Sequence, residues 1–399
     1  MSFDISLVRA GYPALRDGHA YLDGAAGTQV PLPVIEAIAD AYRAGIGNLG
    51  GAFAASARSE AILAEARQAV ADLVGGTADG VVFGPSATAL TYRMSATLAR
   101  TWSPGDEVIV SGLDHDSNIR PWIQAAERAG ATVRWAQPDP ATGELPESQY
   151  AGLIGPRTRL VAVTAASNVL GTRPDVTAIA ALAHAVGALV YVDGVHATPH
   201  VPVDVSSLGA DFYATSAYKW SGPHVGTVIA DPALLATLHP DKLAPSSDDV
   251  PERFELGTLP FADLAGVAAA VNHLAGLNGA SAGPRRERVL ASIAAVEDYE
   301  AGLFTRMLNG LATMSHVTLY GKAARRAPTA FFTVAGLTPH AVAESLAARK
   351  VNVWSGNNYA YELCNALDLG PEGAVRAGLV HYNDETDVER LLTCLDDIA

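Results

Sequence analysis

Asp211-Phe212-Tyr213-Ala214-Thr215-Ser216-Ala217-Tyr218-Lys219-Trp220-Ser221-Gly222-Pro223 is the stretch on which the reading of this chain turns. A strand-like run ends in small and hydroxylic residues, then a single lysine, then a Gly-Pro turn. Lysine is costly to bury and rare near the end of a core strand. A lysine in that place is either paired or reactive. The run at residues 225–229 follows Pro223 closely enough to be a hairpin partner of the lysine strand.

Outward from this point the pattern is regular. Strands are expected over residues 81–83, 106–110, 132–135, 160–164 and 188–192, alternating with helices over 86–100, 118–129 and 176–186. This βαβ rhythm predicts an α/β fold, a mostly parallel sheet with helices on both faces. Nearer the N-terminus, residues 21–28 read as a short strand running into a turn, and Pro33 opens a helix ending near Gly45. Residues 45–55 read as a loop, after which Ser56 caps a long helix carrying Ile62, Leu63, Ala66, Val70 and Leu73 at helical spacing. Beyond residues 257–261 the rhythm changes. Helices are expected over 262–277, 284–308, 339–349 and 385–398, with strands near 317–320, 330–334 and 351–354. The expected organisation is a large domain over residues 15–260 and a smaller α+β part made of 1–14 and 261–399.

The chain has 399 residues, 49% hydrophobic and 17% charged, which suits a folded protein with a large core. Its net charge of -15 and lack of any Lys/Arg-rich run argue against nucleic acid as a partner. Cys364 and Cys394 make neither a disulfide framework nor a CxxC pair, which fits a reducing, cytoplasmic setting. The first residues, Met1 to Ser6, lack the basic and apolar regions of a signal peptide. No apolar run reaches the ~18 residues that a membrane span needs.

Asp193 ends the apolar run Ala188-Leu189-Val190-Tyr191-Val192. An ionised carboxylate there needs a partner. Alone it is as good a helix cap as a functional acid. With Lys219 following after a second strand, the pair points to pyridoxal 5'-phosphate. Lys219 would hold it as a Schiff base, and Asp193 would keep the pyridine nitrogen protonated. Gly84-Pro85-Ser86-Ala87-Thr88, between a strand and a helix, offers N–H groups and hydroxyls to a phosphate, though Ser86 also reads as an ordinary cap. Ser216 is a second phosphate candidate, with Tyr218 and Thr258 after it. His115 lies in a loop after a strand, where an imidazole can stack on the cofactor ring and move protons, or simply face solvent. Asn168 and His196 also follow strands and could bond the cofactor's phenolic oxygen.

Taken together these stretches resemble the class V aminotransferases, the branch with cysteine desulfurases and isopenicillin-N-epimerase-like proteins, over roughly residues 20–398. Tyr21-Leu22-Asp23-Gly24-Ala25-Ala26 is similar to the family's opening, and Val82 to Thr88 to its phosphate turn. Asp114 to Trp122 resembles the segment of the ring-stacking histidine, and Ser167 to Thr172 is close to the family form. Asp193-Gly194-Val195-His196-Ala197 matches the aspartate motif, with His196 where desulfurases usually have glutamine. Ser216-Ala217-Tyr218-Lys219 matches Ser-Gly-His-Lys, with Tyr218 in place of histidine. Phe254-Glu255-Leu256-Gly257-Thr258 resembles the segment whose threonine reaches a partner subunit's phosphate. Val375-Arg376 to Asn383 resembles the segment whose arginine clamps the substrate carboxylate, a task suited to a guanidinium.

The resemblance implies the fold-type-I architecture of pyridoxal-phosphate enzymes, a homodimer and an amino-acid substrate. It implies Lys219 and His115 as catalytic residues and Arg376 as the substrate anchor. One departure matters: Tyr359 falls where desulfurases carry a catalytic cysteine, and Cys364 lies five residues beyond. A persulfide nucleophile must reach the substrate sulfur. The expectation is therefore C–S lyase chemistry, β-elimination from an S-substituted cysteine. The alternatives are transamination, epimerisation, decarboxylating deamination, or a non-catalytic relative. Ser216-Ala217-Tyr218-Lys219 is formally S-x-x-K as well, but the S-D-N and K-T-G triplets of serine β-lactamases do not occur. No strand is followed by GxGxxG, which argues against a dinucleotide-binding dehydrogenase.

Overall fold

The computed structural model describes residues 3–398; Met1, Ser2 and Ala399, at the ends of the expected smaller part, lie outside the described residues. Among the described residues thirteen strands form three sheets. β1 is Ala20–Tyr21, β2 Val81–Gly84, β3 Glu107–Ser111, β4 Thr132–Ala136, β5 Thr158–Thr164, β6 Leu189–Asp193, β7 Phe212–Ser216 and β8 Gly226–Ala230. In the C-terminal part, β9 is Val317–Tyr320, β10 Thr329–Val334, β11 Val351–Asn352, β12 Trp354–Gly356 and β13 Ala374–Gly378.

The main sheet has seven strands in the order β2-β8-β7-β6-β5-β3-β4. All run parallel except β8, which is antiparallel to both neighbours. Apolar residues occupy both faces of these strands, so the sheet is buried on both sides. Val81, Phe83, Val161, Val163, Val190 and Val192 point into one core, while Val82, Val108, Val110, Ala162, Tyr191 and Phe212 point into the other. The hairpin expected after the lysine strand is present: β7 and β8 pair with Ser216 opposite Gly226. β8 pairs onward with β2, placing Gly84 opposite the same Gly226.

The second sheet, ordered β12-β13-β10-β9, packs on its own core of Leu303, Met307, Phe332, Val375 and Leu391. The helix Phe261–Leu274 joins the large core through Leu264, Val267 and Val271. The helix Arg285–Thr313 passes between cores: Val289, Ile293 and Val296 belong to the large one, Leu303, Phe304 and Met307 to the smaller. Near the N-terminus, Arg9 reaches Asp384 at 3.1 Å and Asp387 at 2.8 Å.

Three local expectations differ from the structure. The long helix after the glycine-rich loop is Ala54–Val74 with Phe53 at its N-cap. Ser56 lies inside the first turn, where its hydroxyl accepts the Gly51 N–H at 2.8 Å. The single strand expected over 351–354 is two. Val351–Asn352 pairs with β1, and Trp354–Gly356 pairs with β13. β13 itself escaped the reading because a charged residue, Arg376, interrupts a run of five that gave no alternating pattern.

Candidate active site

Parallel strands that end on one edge bring their following loops together, and ligands bind there in open α/β sheets. β6 ends at Asp193, paired with Ala214 of β7. β7 ends at Ser216, and a single 3-10 turn, Ala217–Lys219, delivers the lysine. One cavity is lined by Lys219, Asp193, Ser216, Tyr218, His196 and Asn168, and by Ser86, Ala87, Thr88 and His115 from the other side. Arg376 joins Lys219, His115 and Asn168 in an adjoining cleft. The expected residues are thus brought together, with one exception. Thr258 lines a separate, mostly apolar pocket together with Phe83, Gly84 and Pro85. Its segment is tied there by Glu255, which bonds Arg67 at 2.9 Å and accepts the Phe83 N–H at 2.9 Å.

The electrostatics follow from burial. Lys219 is buried and donates to the Ala25 carbonyl. Burial, and next the Arg376 charge, lower its pKa to about 7, against the pull of Asp193. A buried amine of that acidity is partly neutral near pH 7 and nucleophilic. Burial raises Asp193 to about 6, opposed by the Val195 N–H, which bonds Oδ1 at 2.9 Å, and by Lys219. Burial, with the nearby Lys219 and Arg376 charges, lowers His115 to about 3, so it is a neutral imidazole. Its Nδ1 accepts the Ser117 N–H at 3.1 Å, which places the ring proton on Nε2. His196 is also held neutral by burial, with Nε2 2.9 Å from Thr329 Oγ1. Arg376, lowered to about 10 by burial, stays cationic; its Nη1 donates to the Asn168 carbonyl at 3.0 Å.

Asp114 is a contributor that pattern reading passed over. It is fully buried between Ser111 and the Asn118 amide, which donates to Oδ1 at 2.7 Å, and burial raises it to about 8. A neutral carboxyl there braces the loop that presents His115. Its only signal in the sequence was its position beside that histidine. Thr164, at the end of β5, also lines the cavity and was likewise not singled out.

The donor set fits pyridoxal phosphate. The helix Ala87–Leu98 starts at the cavity with Ser86 as its cap, Oγ accepting the Ala89 N–H at 3.1 Å. The N–H groups of the first turn have no intrahelical acceptor and point to an anion site. Gly226 lies against this turn so closely that a Cβ on it would sit 2.1 Å from the Ser86 carbonyl carbon. Asn168 Oδ1 is buried without a partner, although Asn168 Nδ2 donates to the Asn358 carbonyl at 2.8 Å. A buried acid, an amine of lowered pKa, an anion cradle and a flat neutral imidazole are the four features this cofactor requires of a protein.

The family model for aminotransferase class-V matches residues 20–391. The chain belongs to the class V aminotransferases. An uncharacterized protein of Mycobacterium tuberculosis is 35% identical to it, with 100% of both chains covered. A cysteine desulfurase of Klebsiella pneumoniae is 33% identical over 100% of this chain and 99% of that one. The crystal structure of a cysteine desulfurase from Escherichia coli superposes with a TM-score of 0.87 at 28% identity, covering 100% of this chain and 98% of that one. This class V aminotransferase is a pyridoxal-phosphate-dependent enzyme of α/β fold.

The segment after β12 carries Tyr359, at the position expected for a desulfurase's cysteine, and Cys364 beyond it. Asn358 and Tyr359 are successive left-handed residues, with φ of 50° and 60°. The Tyr359 carbonyl accepts the Asp116 N–H at 2.7 Å, and its ring stacks on His115 with centroids 5.2 Å apart. Cys364 is buried in the helix Tyr361–Ala366, and burial raises its thiol to about 11. Among the described residues no helix is long and apolar enough to cross a membrane, and no group of His, Cys, Asp and Glu side chains could hold a metal ion.

Proposed function

We propose that this enzyme is a C–S lyase, eliminating a thiol from an S-substituted cysteine. The observation that carries this reading is the state of the two thiols. Cys364 is 1% exposed, its sulfur turned toward the Asn357 carbonyl at 3.9 Å, and Cys394 is buried on the last helix beside the smaller core. A persulfide carrier needs an accessible thiolate, and β-elimination needs none.

In this reading Lys219 carries the cofactor and Asp193 meets its ring nitrogen. His115 covers its ring, and Asn168 and His196 meet its phenolic oxygen. Ser86, Ala87, Thr88, Ser216 and Tyr218 serve its phosphate, and Thr258 that of a second subunit. Bound there, pyridoxal phosphate supplies an electron sink that acidifies the substrate's Cα–H. Arg376 holds the substrate carboxylate with its guanidinium. Lys219, its amine set free when the substrate's amino group takes its place, would take the Cα proton. The Cβ–S bond then breaks with its electron pair on sulfur, and the thiolate leaves and is protonated. Water completes the sequence, so that each substrate gives one thiol, one pyruvate and one ammonium ion. His115, neutral with its proton on Nε2, offers a donor without adding a charge that would oppose Lys219.

The exposed Leu256 beside Thr258 supports a homodimer, and two unpaired cysteines support a cytoplasmic setting. The deciding experiment incubates the enzyme with several cysteine conjugates and plain amino acids and measures thiol, pyruvate, 2-oxo acid and carbon dioxide. Equal yields of thiol and pyruvate are expected. Intact conjugates alongside rapid amino transfer to pyruvate would sink the lyase reading.

A further inference from the structure

The cleft that adjoins the cofactor cavity has a second wall to which nothing so far assigns a task. Trp354 and Arg376 are directly opposite across the antiparallel pair β12–β13. Opposite residues in such a pair project from the same face of the sheet. The indole therefore flanks the guanidinium proposed to hold the substrate carboxylate. Across the cleft Tyr359 stacks on His115, held by a loop whose two left-handed residues are pinned from both sides by Asn168 and Asp116. Trp354 is 51% and Tyr359 69% exposed, although both line a concave site beside buried Arg376 and Lys219.

Two exposed aromatic rings at a cleft mouth lose apolar surface to water that a ligand could cover. The rest of this wall is Ser355, Gly356, Asn357, Asn358 and Pro371, all uncharged. The cations lining the cleft are Lys219 and Arg376, which the reaction already uses. Of the charges near but not lining the cleft, Asp23 faces the Arg376 charge and Asp193 that of Lys219, while Asp116, Arg120 and Glu362 are paired with one another. A charged substrate side chain would meet no unengaged counter-charge from this chain, whereas an apolar one would be covered by both rings.

We propose that Trp354 and Tyr359 form a side-chain subsite selecting amino acids with an uncharged, apolar β-substituent, aromatic or alkylthio, over acidic and basic ones. The inference rests on the amino-acid reading of the site but not on which bond is broken. An α-methyl amino acid lacks the Cα hydrogen and cannot eliminate, so its binding is separable from turnover.

The test titrates the full chain loaded with pyridoxal phosphate and follows the cofactor's visible absorbance. The probes are α-methylphenylalanine, α-methylaspartate, α-methyllysine and 2-methylalanine. The phenyl compound is expected to bind at least about tenfold more tightly than either charged one. Trp354→Ala and Tyr359→Asn are each expected to weaken the phenyl compound about three- to tenfold and 2-methylalanine less than about twofold. Asn suits a left-handed backbone, so the second variant keeps the loop. Tyr359→Phe retains the ring and should retain the preference. Charged probes that bind as tightly as the phenyl compound would overturn the proposal, as would variants that leave the preference intact. A band unmoved by every probe would overturn it together with the amino-acid reading. Selective binding with no thiol released from any conjugate supports the subsite and removes only the lyase reading.

Discussion

Lys219 and Asp193 line one cavity, and burial displaces them in opposite directions, the amine down to about 7 and the carboxyl up to about 6. Neither group is at ease in the protein alone. In the proposed reading each has a partner that relieves this, a carbonyl carbon for the amine and a protonated ring nitrogen for the acid.

For Lys219 the consequence is a pH-dependent cost. The unfolded chain keeps this proton up to the ordinary value of 10.5, while the folded chain releases it near about 7. The unfolded state binds more protons between those values, so the unliganded protein gains stability as pH rises through that window. Lys219→Met should raise the melting temperature of the unliganded protein, most near about pH 7 and least near about pH 10. The same variant should lose covalent retention of the cofactor after borohydride reduction, read by intact mass. A mass gain equal to that of the wild type would rule out Lys219 as the point of attachment.

Asp193 carries a cost of the opposite sense. Its folded value of about 6 exceeds the ordinary 3.8, so the folded chain binds the extra proton and stability falls as pH rises through that interval. Asp193→Asn should melt higher than wild type without cofactor near about pH 7, yet bind pyridoxal phosphate at least about tenfold more weakly. Melting curves with and without cofactor measure both effects. Unchanged affinity would mean that Asp193 does not meet the ring nitrogen.

Gly226→Ala tests the anion cradle without touching any polar group. Its new methyl would stand 2.1 Å from the Ser86 carbonyl carbon, so the turn must move. Overpacking of this kind costs about 1–3 kcal/mol, and the cofactor's dissociation constant should rise by about tenfold or more. Fluorescence titration of the unliganded variant reads the second quantity directly.

Cys364→Ala should leave turnover within about twofold and cost about 1 kcal/mol in stability. Thiol reagents should label Cys364 slowly in the native protein and rapidly once it is unfolded. Abolished turnover would return the persulfide mechanism to consideration.

Glu255→Gln leaves Arg67 buried with only Glu252, 3.2 Å away and more exposed, as a carboxylate partner. Removing one member of a buried pair costs about 3 kcal/mol. Denaturant unfolding should show a loss of that order, and the Thr258 segment should become more open to proteolysis.

The large sheet was legible because it is buried on both faces. Its strands read as short apolar runs, and β6 and β7 end in residues that line the cavity, so Asp193, Ser216 and, one turn on, Lys219 could be picked out on that ground. The smaller sheet was less so. β13 carries Arg376 at its centre, and its neighbours Val375 and Ala377 are too few to set a period. Ser56 misled because a serine before an apolar repeat is a good cap, whereas here the backbone turns helical two residues earlier and the hydroxyl is used by Gly51. The stacking of Tyr359 on His115 joins residues from distant parts of the chain, and no local pattern encodes it. The same holds for the Asp114 carboxyl, whose raised pKa comes from its complete burial.

The row Gly84, Gly226, Ser216 crosses three adjacent strands in register. The anion turn begins at one end of that row and the lysine turn at the other, with the reversed strand β8 as the only spacer between them. A slip of one residue in β8 would shift both turns at once and flip its side chains to the wrong core. Half a site is therefore not an available folding product. Cofactor capture becomes a proofreading step on the assembly of this edge of the sheet, accepting only chains in which both registers of β8, with β7 and with β2, agree.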